Sequence, residues 1–267
     1  MISSGDSSHV REHAGMSAQR SGRVRLPPSS LLSSRASSLR TSVENMALDG
    51  AVPFTVPVAM KPSLGLDHLI EAITVELAAQ KREKRRNIER VRSIMAMWDA
   101  SDRKTWEKFA QFDPDKAYTR NLIATDNENF TLMILCWNKA RVSPVHDHAN
   151  SECWVRVIAG TALEELYETD PDPSNPLRLK RTETYGPGSV SHIHDAMGIH
   201  RLGNADSESQ LLTLHCYSPP FKSCHIFPDQ LSHGVDCPVT FFSEHGKKYA
   251  DDEVIKNDKM KNPCFCP

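Results

Sequence analysis

The sequence has no apolar run approaching the roughly 18 to 20 residues that cross a bilayer, and it carries no secretory signal. Its seven cysteines, Cys136, Cys153, Cys216, Cys224, Cys237, Cys264 and Cys266, are odd in number and follow no paired spacing. This argues against a disulfide framework and for a reducing compartment, so a cytoplasmic protein is expected. Charge of one sign is also lacking. The formal net charge is -2, and no global field draws the chain to nucleic acid or to an anionic membrane. Those absences leave small-molecule chemistry, with a monomer expected and neither nucleic acid nor membrane as partner. At 267 residues the chain can bury a sizeable core, and one large β-domain with appendages is the simplest fit.

Acidic residues are missing from Met16 to Val43, where Arg20, Arg23, Arg25, Arg35 and Arg40 recur among serines. Residues 1–60 are read as a disordered Ser/Arg-rich leader, because so few apolar groups cannot offset the entropy of ordering. The composition is compatible with mitochondrial targeting, against which Asp6 and Glu12 count; a leader without function is the favoured reading. The folded domain is placed at 61–246 and a flexible charged tail at 247–267. Leu66, Leu69, Ile70, Ile73 and Leu77 recur at helical spacing, with Asp67 where a cap belongs, which predicts an amphipathic helix over 67–80. A second helical pattern runs through Ile88, Val91, Ile94, Met95 and Trp98, and Asp99 to Ala110 reads as a short covering helix. The basic run Lys81 to Arg86, flanked by Glu76 and Glu89, reads as a solvated helix end rather than a nucleic-acid patch.

From Tyr118 the period changes. Short apolar stretches, Asn129 to Trp137, Cys153 to Ile158, Thr161 to Tyr167, Leu211 to Tyr217 and Val239 to Phe242, are separated by turn-forming Gly, Pro, Asn and Asp. No helical crossovers divide them, which argues for a sandwich or a closed barrel. His146 and His148 are two apart, so on an extended strand both imidazoles face one side. Such a pair is either part of a metal site, with His200 the best candidate for a third ligand, or simply two hydrogen-bonded histidines. Spacing alone leaves both readings open.

The ordered blocks Tyr118-Thr119-Arg120-Asn121-Leu122, Leu132-Met133-Ile134-Leu135-Cys136-Trp137, His146-Asp147-His148 with Cys153 following, Gly198-Ile199-His200-Arg201, and Leu214-His215-Cys216-Tyr217-Ser218-Pro219-Pro220-Phe221 ending at Cys224-His225 carry a resemblance. Together, over about residues 64–246, they resemble the cysteine dioxygenases of the cupin superfamily. The resemblance implies an all-β core, a cupin double-stranded β-helix barrel with N-terminal helices packed on it. It also implies Fe(2+) held by His146, His148 and His200, with L-cysteine and O2 as substrates and cysteine sulfinic acid, on the taurine and sulfate route, as product. Arg120 and Tyr118 would take the substrate carboxylate, since a planar guanidinium offers two parallel donors, and Cys224 would lie near the substrate. The family's Ser-His-Tyr relay maps onto Thr213, His215 and Tyr217, which alternate on one strand; Thr keeps the hydroxyl. A thioether between Cys153 and Tyr217 is implied as a protein-derived cofactor, and Trp137 as an aromatic behind the site.

One position is ambiguous. The general cupin pattern supplies a glutamate ligand shortly after the second histidine, where Glu152 and Cys153 both stand. Neighbouring strand residues face opposite ways, so only one aims at the centre, and the resemblance favours Cys153 inward. His192 and His194 are read as polar loop residues, and Cys264-Phe265-Cys266-Pro267 lacks the aliphatic positions of a prenylation box. Two alternatives stand beside the main reading. One is a cupin dioxygenase for another small thiol, which Arg120 disfavours; the other is a cupin binding module without redox chemistry.

Overall fold

The computed structural model describes residues 63–248; the leader at 1–60 and the tail from 249 onward lie outside the described residues. Two helices come first, α1 (Leu66–Arg82) and α2 (Ile88–Ala96). Leu66, Leu69, Ile73 and Leu77 form the buried stripe of α1, the spacing expected of one helix face. Gly65, not Asp67, occupies the N-cap position of α1, without a side-chain cap. The side chain of Asn87 caps α2 by accepting the Arg90 N–H at 3.0 Å. The covering helix expected over Asp99 to Ala110 is instead two 3-10 turns, Arg103–Thr105 and Glu107–Phe109. Trp106, between them, leaves helical geometry and buries its ring against Trp98 at 6.3 Å, its indole N–H donating to the Ala100 carbonyl.

Fourteen strands follow among the described residues: β1 (Tyr118–Thr125), β2 (Thr131–Trp137), β3 (Arg141–Val142), β4 (Val145–His146), β5 (Glu152–Ala159), β6 (Ala162–Glu168), β7 (Arg178–Tyr185), β8 (Val190–Ile193), β9 (Ile199–Asn204), β10 (Leu211–Ser218), β11 (Ser223–Phe227), β12 (Val235–Pro238), β13 (Ser243–Glu244) and β14 (Lys247–Lys248). One sheet has the order β14-β13-β1-β2-β10-β5-β8; the other has β12-β11-β4-β9-β6-β7, with β3 paired to β9. The Val239 to Phe242 stretch is not a strand. The pairing segment is β12, just before it, which joins β11 in antiparallel register, and the Val239 N–H closes that hairpin on the Lys222 carbonyl. Lys247 and Lys248, assigned by sequence to the tail, continue the first sheet against Ser243 and Glu244.

The central strands of the first sheet are buried on both faces, which is why their sequences run apolar without alternation. On β2, Leu132, Ile134 and Cys136 pack with the helices, while Met133, Leu135 and Trp137 belong to a second core shared with Leu166 and Leu202 of the other sheet. Burying each such side chain contributes about 1.5–3 kcal/mol. The second core is the interior of a cupin barrel, and the polar side chains described next come from β1, β4 and the turn after it, β5, β6, β9 and β10. Arg156, on the helix-facing side of β5, donates to the Met95 carbonyl near the end of α2 and lies over the Trp98 ring at 5.6 Å, tying the helices to the sheet. No helix among the described residues is long and apolar enough to cross a membrane.

Candidate metal centre

Strand β4 ends at His146, so His148 lies beyond it in a turn and the expected one-strand pair is corrected. The chain reverses directly after His148, where Ala149 and Asn150 adopt φ of 49° and 61° and the Ser151 N–H bonds the His148 carbonyl. The Asp195 carboxylate locks it, accepting the backbone N–H groups of His148 and Asn150 at 2.7 and 2.6 Å. His200, on β9, stands directly opposite His146 in the register. The three ring centres are 4.8 to 5.1 Å apart and one nitrogen from each lies within 4.8 Å of the others.

The donor set fits a first-row divalent ion. His146 Nδ1 is 3.0 Å from the Pro144 carbonyl oxygen and His200 Nδ1 is 2.7 Å from Glu164 Oε1, which leaves Nε2 of each ring for a ligand bond. Nε2 of His148, a fully buried side chain, lacks a hydrogen-bond partner, and its Nδ1 has only a long contact of 3.5 Å to Asp195. Burial and then the neighbouring imidazoles hold His146 well below the usual histidine range, and burial lowers His148 to about 4. These rings are therefore neutral at physiological pH and offer lone pairs. Unpaired buried nitrogens cost about 1–3 kcal/mol each, so a cation satisfies what the fold leaves open. No other group of three potential ligands occurs among the described residues.

Tyr217 links the triad to a cavity. Its ring stacks on His148 at 6.2 Å, and it also lines a space together with Arg120, Cys224 and the apolar Met133, Phe221 and Phe241. Arg120 Nη2 donates to the Tyr118 hydroxyl at 2.7 Å, and the Tyr118 ring is packed 4.4 Å from Trp137. Burial raises the Cys224 thiol to about 11, partly countered by Arg120. Thr213 Oγ1 is 2.8 Å from His215 Nε2, and His215 Nδ1 is 3.1 Å from the Tyr217 hydroxyl. Trp137 Nε1–H, a donor only, donates to Thr213 Oγ1 at 2.8 Å. Burial keeps His215 neutral; the polarity that uses every donor then runs from Thr213 O–H to Nε2 and from Nδ1–H to Tyr217, leaving the phenolic proton to face the site. Cys153 stands opposite Tyr217 in the β5–β10 ladder and its thiol contacts the phenol.

Residues 60–230 match the family of cysteine dioxygenase type I. The chain belongs to the type I cysteine dioxygenase family. It is similar to cysteine dioxygenase type 1 of Homo sapiens, 36% identical over 160 residues, which is 60% of this chain and 79% of the human protein. The Rattus norvegicus protein of the same name is 34% identical over the same proportions, and that of Danio rerio is 34% identical over 163 residues, 61% of this chain and 80% of its own. As a type I cysteine dioxygenase family member, the protein is an oxygenase enzyme, and its three-histidine group suits the metal dependence of that family.

Within this dioxygenase the two rival positions part cleanly. Glu152 turns toward the helices, its carboxylate held by Arg86 and by His192 Nε2 at 2.8 Å, while Cys153 faces Tyr217. His192 is not in a loop but on β8, and His194 accepts the Ala196 N–H at the start of a 3-10 turn. Sequence reasoning did not find Glu164 or Asp195, the carboxylates behind His200 and His148. Glu164 was signalled faintly, as a polar residue in the inward register of Ala162 and Leu166 on β6. Asp195 carried no signal, because it acts by closing a loop 47 residues away.

Proposed function

We propose that the protein oxygenates L-cysteine with O2 to cysteine sulfinic acid at a mononuclear Fe(2+) centre held by His146, His148 and His200. The observation that supports this reading best is that Tyr217 both stacks on His148 of the three-imidazole group and lines the cavity bordered by Arg120. Ferrous ion, when bound, supplies the one-electron chemistry that dioxygen needs before it reacts with a thiolate. The balance is simple: the thiol sulfur loses electrons to dioxygen, both oxygen atoms end on sulfur, and no external reductant is consumed.

The chain's own residues bind and orient. Arg120 carries a fork of donors suited to the cysteine carboxylate, and Tyr118 fixes that fork from one side. Met133, Phe221 and Phe241 exclude water from the substrate methylene and sulfur. Tyr217, held by the relay from Thr213 through His215, directs its hydroxyl proton at the site. Cys153 and Tyr217 join through a thioether, which fixes the phenol further. Cys224 borders the substrate as a neutral thiol. An uncharged donor set leaves the metal charge to be balanced by the incoming thiolate.

The test is anaerobic loading with ferrous ion, then oxygen uptake with cysteine and product mass. Consumption matched to a product heavier by both oxygen atoms supports the reading. A protein that binds cysteine and consumes no oxygen would instead be a binding module, and oxygen consumption with another small thiol in preference to cysteine would redirect the substrate. A monomer acting in the cytoplasm completes the proposal; Cys136, Cys153, Cys216 and Cys224 are buried free thiols, as a reducing compartment favours, whereas Cys237 is disulfide-bonded and counts against it. Sedimentation and fractionation test these two points.

A further inference from the structure

The three histidines are not equivalent on their far sides. The Nδ1 of His146 meets a neutral backbone carbonyl. The Nδ1 of His148 lies 3.5 Å from Asp195, a long contact to a carboxylate already engaged by two backbone N–H groups. His200 alone has a short contact to a fully buried acid, with Nδ1 2.7 Å from Glu164 Oε1 and both side chains 2% exposed. Glu164 is itself gripped from the other oxygen, where the Tyr185 hydroxyl approaches Oε2 at 3.0 Å; Tyr185 also touches Glu183 on its own strand.

A buried carboxylate is costly unless a cation or several donors answer it, and desolvation costs several kcal/mol per ion. Among the described residues Glu164 meets one imidazole N–H and a phenol whose single proton is shared with the nearer Glu183 carboxylate, with the Arg181 charge acting from farther off. A dication on the opposite edge of the His200 ring adds, through the imidazole, to the partial counter-charge that Arg181 provides. Resting on the proposed metal reading, we infer that Glu164 is a positioning residue that fixes the His200 ring in the Nδ1–H form, makes its Nε2 the strongest donor of the three, and places a buried negative charge in short contact with that one ligand. Tyr185 holds Glu164 in that orientation. An imidazole so polarised binds the metal more tightly and favours its higher oxidation state.

The experiment measures ferrous affinity of the full chain by anaerobic competition with a chelator, and the reduction potential of the loaded protein, for wild type, Glu164→Gln, Tyr185→Phe and Glu165→Gln. Glu165 neighbours Glu164 but turns outward to Arg201, so its variant removes the same charge from the other face. Glu164→Gln is expected to weaken affinity by about 10- to 100-fold and raise the potential, Tyr185→Phe to do both to a smaller extent, and Glu165→Gln to do neither. A role in packing alone would leave the potential of the loaded fraction unmoved, and that result overturns the inference while the metal reading stands. Wild type that binds no ferrous ion overturns both. If Glu164→Gln does not fold, Tyr185→Phe decides the matter by the same two readouts.

Discussion

Arg120 and Tyr118 lie on one face of β1, and the guanidinium donates to the phenol at 2.7 Å while resting 4.9 Å from its ring centre. The bond uses one edge of Arg120 and leaves its remaining donors for the cavity. Arg120→Gln is expected to lower kcat/KM for cysteine by about 10- to 100-fold, the worth of a charge-assisted pair at about 1.5–3 kcal/mol. A thiol lacking the carboxylate should lose little. Steady-state oxygen uptake with cysteine and cysteamine checks this, and equal losses on both would remove Arg120 from substrate recognition.

Thr213 accepts from Trp137 and sits 2.8 Å from His215, all within the barrel. Thr213→Val keeps the shape and removes the hydroxyl, leaving the indole N–H and His215 Nε2 unpaired. The expected loss is about 2 kcal/mol of stability, read from urea unfolding, together with reduced turnover. Thr213→Ser restores the hydroxyl and should recover most of both.

Gly198 precedes His200 by two residues, with φ of 132°, and a Cβ there would stand 2.4 Å from the Tyr167 carbonyl oxygen. No flexible side chain can yield, because the obstacle is backbone of the neighbouring strand. Gly198→Ala is expected to cost more than about 1–3 kcal/mol and to displace β9. Thermal unfolding measures the first effect, and ferrous content at a fixed loading ratio the second. Unchanged values of both would show that the strand can shift without harm.

Much of this was legible because two-sided burial leaves continuous apolar runs. The sequences of β2, β5 and β10 declare themselves that way, and the alternation of Thr213, His215 and Tyr217 puts them on one strand face, where the family resemblance implied a relay. β7 could not be read: seven of its eight residues are polar or charged apart from Leu179, nearly all exposed, because it is a sheet edge. The Val239 to Phe242 stretch misled for the opposite reason, since Phe241 is apolar to wall a cavity rather than to fill a strand face. His148 lies beyond the end of β4 and is held by Asp195 rather than by strand alternation. Glu164 and Asp195 act through contacts 36 and 47 residues away, distances over which local pattern says nothing.

Asp126 organises the β1–β2 turn, Oδ1 accepting the backbone N–H groups of Glu128, Asn129 and Phe130 and Oδ2 accepting the Asn129 side chain. Burial opposes its ionisation, but the bonds from Asn129, Glu128 and Phe130 prevail and bring the carboxyl down to about 2. An unfolded aspartate titrates near about 3.9. The folded pKa is thus depressed, so the contribution is full above about pH 4 and fades as pH falls toward about 2. Asp126→Asn mimics the neutral acid. The difference in urea midpoint between wild type and this variant should be constant from neutral pH to about 4.5 and shrink below it; a difference that holds steady into the acid range rejects the assignment.

Cys153 and Tyr217 face each other across β5 and β10, thiol against phenol, in a register that holds them together in every molecule. Burial, reinforced by the Glu164 charge, holds the thiol far above its usual range, so it does not attack as a thiolate. Joining sulfur to a ring carbon forms one C–S bond, breaks one S–H and one C–H bond, and removes two electrons, for which dioxygen is the acceptor. Proximity alone is therefore insufficient. Protein expressed and purified without oxygen should keep its full mass, and protein turned over with cysteine and oxygen should accumulate a species lighter by two hydrogens, mapped by peptide mass to Cys153 and Tyr217. Cys153→Ser should never show it, yet should retain turnover, because the relay through His215 orients the phenol without the bond. If Cys153→Ser lost all turnover while keeping its metal and its stability, the thioether would be required for the reaction itself and the relay would not suffice to hold Tyr217.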